Sequence, residues 1–158
     1  MIGSLWPHVT DALVGGLRAA DLGAAVVFDG PPPVDDATGL GVSVGLASPD
    51  DAEQSAGTTR QVWRDAGPAP FAARQENGTV RCTAWAFAGN DWDFATLRGQ
   101  VAALLDGIQD GLAAISPLGL AQVTDLRLAD EITWVQSQTP TGTTVEAMFA
   151  VAYQAVFA

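Results

Sequence analysis

The sequence predicts an α+β fold with a mostly antiparallel mixed β-sheet and two α-helices packed on one face. Two segments repeat apolar residues at spacings of three and four, which is typical of amphipathic helices. Six or seven shorter segments are continuously apolar or alternate between apolar and polar residues, as strands do. No internal repeat or long linker divides the chain, so residues 1–158 are assigned to a single domain.

The first helix is predicted over residues 4–20. Ser4 is the expected N-cap, and Pro7 is tolerated in the first turn. The apolar side of this helix is formed by Leu5, Val9, Leu13 and Leu17.

Three strands are expected next. Residues 24–28 are continuously apolar and predict a short strand that is buried on both faces. Residues 40–46 predict a second strand, whose glycines allow another backbone to approach closely, and residues 58–65 predict a third.

A β-hairpin is predicted around Asn77 and Gly78. This dipeptide tolerates the positive φ angles of a two-residue turn, so residues 71–76 should pair antiparallel with residues 79–87.

The second helix should begin after Gly89 and end before Ser116 and Pro117. Asn90, Asp91 and Asp93 can cap its first turn. Its apolar stripe consists of Phe94, Leu97, Val101, Leu104, Leu105, Ile108, Leu112 and Ile115.

The chain then returns to strands over residues 121–128, 132–139 and 143–157, with a turn at 140–142. In the last strand the odd-numbered residues are expected to face the core. The even-numbered residues are small and mildly apolar, so either the helices or a neighbouring subunit should cover part of them.

Composition narrows the possible partners. The formal net charge is −11, from 18 acidic residues and seven arginines, and lysine is absent, which is typical of coding by a GC-rich genome. Binding to nucleic-acid backbone needs clustered basic residues, so it is not expected. DNA passing nearby without sticking remains compatible with an acidic wall.

The reactive residues needed for catalysis are scarce. A single cysteine, Cys82, excludes an internal disulfide framework, and a single histidine, His8, excludes a multi-histidine metal site. Cys82 is interpreted as a small buried hydrophobe rather than a nucleophile, and His8 as a surface or capping residue. We expect no enzymatic activity and no cofactor.

Carboxylate clusters offer the remaining possibility of a cation site. None has the ligand spacing of a calcium loop, so solvated loops or helix capping are the preferred interpretation, and no metal site is predicted. The three clusters are Asp29 with Asp35 and Asp36, Asp50 and Asp51 with Glu53, and Asn90 and Asp91 with Asp93.

Of the five tryptophans, Trp85 and Trp134 are expected in the sheet or core. Trp92, at the start of the second helix, is either an interface residue or a packing residue over the helix end. The sequence contains neither a signal-peptide pattern nor an apolar run of membrane-spanning length, so no membrane is expected as a partner.

The order of elements resembles that of tail terminator proteins of long-tailed, non-contractile bacteriophages. The resemblance covers almost the whole chain. It is carried by the strand and turn over residues 24–31, residues 75–85, Gly89, the helix led by residues 94–98 and the closing strands from Trp134 to Phe157.

This resemblance implies a structural virion protein, assembled in the host cytoplasm and located at the junction of tail and neck. Such subunits form a ring, commonly a hexamer, that caps the tail tube, stops its polymerisation and presents a docking surface to the head-tail connector protein. DNA passes through the lumen without specific binding. The composition suggests a GC-rich, actinobacterial host.

Contacts with tube, connector or lumen are expected at two acidic loops, residues 31–38 and 48–57, and at one end of the second helix. Arg98 is a candidate because it is the sole base on that helix, although an ordinary solvated side chain is the alternative. The full candidate interface comprises Asp35, Asp36, Asp50, Asp51, Glu53, Trp92 and Arg98.

Three alternatives stay open at this point. The chain could be another phage neck protein, for head closure or tail completion. It could be a small non-catalytic ligand-binding domain with a concave apolar pocket. It could also be an enzyme with an unrecognised carboxylate site built from Asp29, Asp35 and Asp36.

Overall fold

A computed structural model describes residues 3–32, 39–45, 55–64, 73–89, 93–115 and 119–157. These residues form two helices and seven strands of one mixed sheet, so the predicted α+β class is confirmed. The elements are, in chain order, α1 (Trp6–Ala19), β1 (Val26–Asp29), β2 (Leu40–Val44), β3 (Gly57–Arg64), β4 (Ala73–Ala88), α2 (Phe94–Ile115), β5 (Val123–Leu128), β6 (Thr133–Thr139) and β7 (Gly142–Phe157).

Two long antiparallel strands, β4 and β7, form the centre of the sheet and pair along almost their whole length. On the side of β4 away from β7, β3 pairs with the first half of β4 and β2 with the second half, both antiparallel to it. β1 pairs with the outer side of β2 and runs parallel to it. The far edge of β7 is flanked by β6 along its first half and by β5 along its second half.

The core lies between the helices and one face of the sheet. Alternate residues of β7 from Val145 to Ala155 are buried, which confirms the prediction for the odd-numbered set. The predicted stripe of α2 is also confirmed where it is described, because Leu97, Val101 and Ile108 are buried in the same cluster. α1 adds its own apolar side to this cluster and contacts α2.

Asp93 caps α2 as predicted, but the prediction of Ser4 as the N-cap of α1 is wrong, because the N-cap of α1 is Leu5, one residue later than expected. The Ser4 hydroxyl accepts a hydrogen bond of 3.1 Å from the Trp6 N–H at the start of α1. Asp93 Oδ1 accepts one of 2.8 Å from the Thr96 N–H at the start of α2. Each side chain satisfies a backbone donor that the first turn of a helix leaves unpaired. Asn90 and Asp91, the other predicted caps, lie outside the described residues.

The predicted hairpin at Asn77 and Gly78 is wrong, because β4 passes through both residues without a turn. Their register is continuous with β3 on one side and with β7 on the other. Gly78 is explained by packing: a Cβ at this position would lie 2.3 Å from ring atoms of Tyr153. The glycine makes room for an aromatic ring rather than for a turn.

The prediction that the first strand is buried on both faces is also wrong. β1 lies at the side of the sheet, and Val26 is 43% exposed, whereas Val27 is buried against the core. The prediction that the glycines of β2 allow another backbone to approach closely is wrong, because the close neighbour of Gly41 is a side chain. A Cβ at Gly41 would lie 2.5 Å from the ring of Trp85, which is buried in the sheet as predicted.

The even-numbered residues of β7 lie on the sheet face opposite the helices. Thr144 to Gln154 are only half-buried, and Val156 is 41% exposed. The helices therefore do not cover this set, which was one of the two predicted explanations for its apolar character. Neither described helix is long and apolar enough to cross a membrane.

Candidate assembly interface

The candidate interface residues fall mostly outside the part of the chain that the structure describes. Only Arg98 lies inside it, and predictions about the others stay predictions. Those others are Asp35, Asp36, Asp50, Asp51, Glu53 and Trp92.

Arg98 connects the second helix to the sheet. Its side chain is exposed on α2, and Nη1 donates a hydrogen bond of 2.6 Å to Gln136 Oε1 on β6. Arg98 is therefore more than a solvated side chain, because it braces an outer strand from the side of the sheet that carries the helices.

The two reactive side chains that the sequence singled out, Cys82 and His8, lie in different surroundings. Cys82 is fully buried, as predicted, and burial raises the pKa of its thiol to about 12, so the reactive thiolate is suppressed. His8 is exposed, in agreement with the predicted surface position. Within the described ranges, no group of three His, Cys, Asp or Glu residues could hold a metal ion.

Glu76 is a buried carboxylate that the sequence did not reveal. Its side chain is 0% exposed and faces the helices from β4. The carboxylate accepts hydrogen bonds from the Tyr153 hydroxyl (2.7 Å), Gln61 Nε2 (2.9 Å), the Leu5 N–H (2.9 Å) and the Ser4 hydroxyl (3.0 Å). These bonds tie the start of α1, β3 and β7 to a single side chain of β4.

The hydrogen bonds decide the charge state of this carboxyl group. Burial alone would raise the pKa of Glu76, but the four donors, led by Tyr153 and Gln61, together hold it below its ordinary value of 4.5. Burial, together with the hydrogen bond to Glu76, raises the pKa of Tyr153. Glu76 is therefore an ionised group in a structural role, and its position anchors β3.

Four strands, β1, β3, β5 and β6, lie at the outer edges of the described sheet. An outer edge presents backbone N–H and C=O groups that can pair with another chain, and folded proteins usually block such edges. The four strands differ in whether they are blocked.

The edge of β1 is blocked by an arginine. Nε and Nη2 of Arg18, from the last turn of α1, donate to the Val27 carbonyl oxygen at 3.4 and 3.3 Å. This carbonyl belongs to the outer edge of β1, so the guanidinium occupies the place that an incoming strand would take.

The edge of β5 is blocked by irregularity and charge. Its register with β7 shifts between Val123 and Asp125, and such a bulge interrupts the row of backbone groups. Asp125 and Arg127 place exposed charges on the same short strand, with Arg127 Nε 3.7 Å from Asp125 Oδ2. We call the edges of β1 and β5 the closed edges.

Among the described residues, the edge of β6 carries neither device, and the edge of β3 carries an exposed charge at Arg60 but neither a bulge nor a covering side chain. All seven residues of β6 are exposed and uncharged, with Trp134 at 44% and Val135 at 39% exposure. Residues 58–63 of β3 are exposed as well, with Val62 at 38% and Trp63 at 66%. We call these the open edges.

The exposure of Trp134 could not be inferred from its apolar neighbours. Trp134 lies in the sheet, as predicted, but it is not a core residue. A usable signal existed in the composition of β6, since seven residues without a charge are unusual for an exposed strand of an acidic protein.

A separate apolar groove of about 620 Å³ lies between α2 and the start of β2. Leu22, Leu40, Phe87 and Leu104 contribute to its walls, and Gln100 and Asp21 are the polar side chains at its border. Ligand sites combine apolar walls with several converging polar groups, and the described lining supplies few.

Neither a protein-family model nor a curated protein matches the chain. The resemblance to tail terminators therefore stays a prediction from the sequence.

Proposed function

We propose that the protein is a ring-forming tail terminator of a long-tailed, non-contractile bacteriophage. In this role it caps the tail tube, stops tube polymerisation and provides the docking surface for the head connector. The observation that supports self-assembly is the pair of open edges on β3 and β6.

The positions of these edges favour a ring over a two-fold dimer. β3 flanks β4 and β6 flanks β7, so the two open edges face opposite directions across the sheet. A ring needs two different, complementary surfaces on each subunit, one for each neighbour. A two-fold dimer would use one surface twice and leave the second edge open.

Charge is compatible with a lumen that DNA crosses. A subunit with a net charge of −11 repels phosphate, so a ring of such subunits would let DNA pass without specific binding. The proposed location is the virion, at the junction of tail and neck, after assembly in the host cytoplasm. The proposed partners are the major tail tube protein and the head-tail connector protein, with contacts through the acidic loops at residues 31–38 and 48–57.

The proposal is tested with the purified protein and the tail tube protein encoded by the same genome. Light scattering and negative-stain imaging, with and without the tube protein, should show rings and capped tubes of uniform length. Persistent monomers that leave tube length uncontrolled would contradict the proposal. Binding to the portal assembly instead of the tube would favour the alternative, a head closure or tail completion protein.

The apolar groove beside α2 is the observation behind a second candidate, a small ligand-binding domain. This candidate predicts a monomer or dimer that binds an apolar fluorescent probe such as anilinonaphthalene sulfonate in the folded state. Substitution of Leu104, in the groove wall, by Gln should then abolish probe binding. Rings without probe binding would exclude this candidate.

A further inference from the structure

We propose that β6 of one copy adds to β3 of the next copy as an antiparallel strand, with Val62 opposite Val135 and Trp63 opposite Trp134. This inference rests on the self-assembly that the proposed function requires. It specifies which surfaces meet, in which direction and in which register.

Strand direction is the first argument. β3 is antiparallel to β4, β4 is antiparallel to β7, and β7 is antiparallel to β6. β3 and β6 therefore run in opposite directions at opposite sides of one sheet. When two copies lie side by side in the same orientation, β6 of one meets β3 of the other as an antiparallel neighbour.

The side chains that the proposed register places opposite each other also lie on the same face of the sheet. Trp63 is paired with Arg74 and Trp134 with Ala147, and these partners belong to the sheet face that carries the helices. Val62 and Val135 therefore lie on the opposite, helix-free face. The proposed register places tryptophan beside tryptophan and valine beside valine, each pair on its own face.

The backbone pattern permits the same register. The Arg81 N–H donates to the Ala56 carbonyl at 2.8 Å, so, by alternation along β3, the backbone groups of Gln61 and Trp63 point away from β4. In β6, Thr139 pairs with Gly142 across a two-residue turn, and residues flanking such a turn exchange hydrogen bonds. Alternation then turns the backbone groups of residues 134 and 136 outward, opposite those of residues 63 and 61.

Length selects this register among those that keep the faces matched. Residues 58–64 then lie opposite all seven residues of β6, Thr133–Thr139. A slip by one residue would put each side chain opposite one from the wrong face, and a slip by two in either direction would leave part of β6 unpaired.

Charge distinguishes this contact from a two-fold contact between two β3 edges. Neither β3 nor β6 contains any of the chain's 18 acidic residues, so their contact avoids the repulsion expected between copies of net charge −11. The exposed Arg60 would lie opposite the neutral Ser137. Two β3 strands paired with each other would instead bring two copies of Arg60 close together.

Both open edges are held in place before any contact forms. Gln61, in the middle of β3, donates to the buried Glu76 carboxylate and to the Gly3 carbonyl. Gln136, in the middle of β6, accepts from Arg98. Strands fixed in this way lose less conformational freedom when they associate, which favours binding.

Disulfide cross-linking between two single variants tests the inference. Val62 and Val135 would form a non-hydrogen-bonded pair with Cα atoms about 4.5 Å apart, within the range that a disulfide spans. The Val62→Cys protein is labelled with ¹⁵N, mixed with unlabelled Val135→Cys protein, oxidised mildly and analysed by intact mass. The native Cys82 is fully buried and does not compete.

The expected product is the mixed dimer, with little product from either variant alone. Ser137→Cys is the matched control, because residue 137 lies on the same face two residues along β6. Its Cα would be about 7 Å or more from that of residue 62, beyond disulfide range, so the yield should fall to about a tenth or less.

Three results would overturn the inference: cross-linking of Val135→Cys or Val62→Cys mainly to itself, a Ser137→Cys yield equal to that of Val135→Cys, or rings without any mixed product. In the last case the proposed function would stand. A mixed dimer from a protein that fails to control tube length would instead leave the edge pairing intact and contradict the proposed function.

Discussion

The closed edges and the open edges of this sheet differ in whether their outward-facing backbone N–H and C=O groups are blocked. Arg18 covers a carbonyl of β1, and a bulge with two charges interrupts β5. β6 exposes only uncharged side chains, including tryptophan and valine, and β3 exposes tryptophan and valine together with one described charge, Arg60. Because unpaired edges invite association, the blocking devices on only two of the four described edges are the basis for the proposed contact through the other two.

The two open edges lie at opposite ends of the central pair of strands. β3 and β5 flank one end of the β4–β7 pair, while β1 and β6 flank the other end. Each end therefore has one open and one closed edge, and the open edges are diagonal to each other. A contact between β6 and β3 offsets neighbouring copies along the strands, so the strands of a closed ring would run obliquely to the ring axis, as in barrels.

The largest expected effect comes from removing the anchor of the open edge on β3. Glu76→Ala would leave four hydrogen-bond donors without their acceptor, so the free energy of unfolding should fall by about 3 kcal/mol. Urea denaturation followed by tryptophan fluorescence measures this change. Glu131→Ala, at an exposed site beside β6, is the control and should change stability by less than about 0.5 kcal/mol. Equal stability of the two variants would contradict the anchoring role.

The same anchor should make stability depend on pH. Because folding lowers the pKa of Glu76, its contribution is present above its ordinary value of 4.5 and is lost as the pH falls through the lower pKa of the folded state. Glu76→Gln removes this contribution, so its stability should fall less steeply than that of the native protein as the pH is lowered below 4.5. Parallel curves from the two proteins would show that Glu76 does not titrate as described.

A lysine on each type of edge tests the comparison itself. Val135→Lys, on the open edge of β6, should weaken self-association at least about tenfold, or about 1.4 kcal/mol. Val26→Lys, on the closed edge of β1, is matched in exposure, at 43% against 39%, and should leave association unchanged. Sedimentation equilibrium provides both values, and an equal effect of the two lysines would remove the distinction between open and closed edges.

Removing the blocking arginine should convert a closed edge into an open one. Arg18→Ala frees the Val27 carbonyl, and because the two hydrogen bonds are long, the stability loss should be less than about 1 kcal/mol. The variant should form additional associated species at high concentration, visible by light scattering. Adding Val26→Lys to the same protein should suppress them. Native-like association of Arg18→Ala would mean that β1 is closed by something else.

The smallest effect is expected where Arg98 braces β6. This bond is exposed, so Arg98→Ala should cost about 0.5 kcal/mol or less. Hydrogen exchange should nevertheless accelerate in β6 relative to β3, because the strand loses its tie to α2. Arg127→Ala, on the closed edge of β5, serves as the control, and unchanged exchange in β6 would rule out the bracing role.

Features with a local period could be predicted from the sequence. The stripe of α2 and the alternation of β7 are confirmed because each pattern is set by the residue's own helix or strand. The turn at Asn77 and Gly78 was wrong because the ring that needs Gly78 belongs to Tyr153, far along the chain. The local sequence cannot distinguish a glycine that forms a turn from a glycine that makes room for a distant ring.

The candidate interface depends on information that is not local. The four partners of Glu76 come from three other parts of the chain, and the closed state of β1 depends on where α1 ends in space. Strand order also decides which strands are edges at all. Composition could show that β6 is uncharged, but not that its outer side lacks a partner strand among the described residues.

The cross-linked mass of a double variant, Val62→Cys with Val135→Cys in one chain, tests head-to-tail assembly through the open edges most directly. The two cysteines lie at opposite edges of each subunit and cannot reach each other within it. The account predicts a series of cross-linked species that ends in one closed ring, which the resemblance to tail terminators suggests is a hexamer, with every engineered thiol consumed. A series that stops at two copies, or chains that stay uncross-linked, would contradict it.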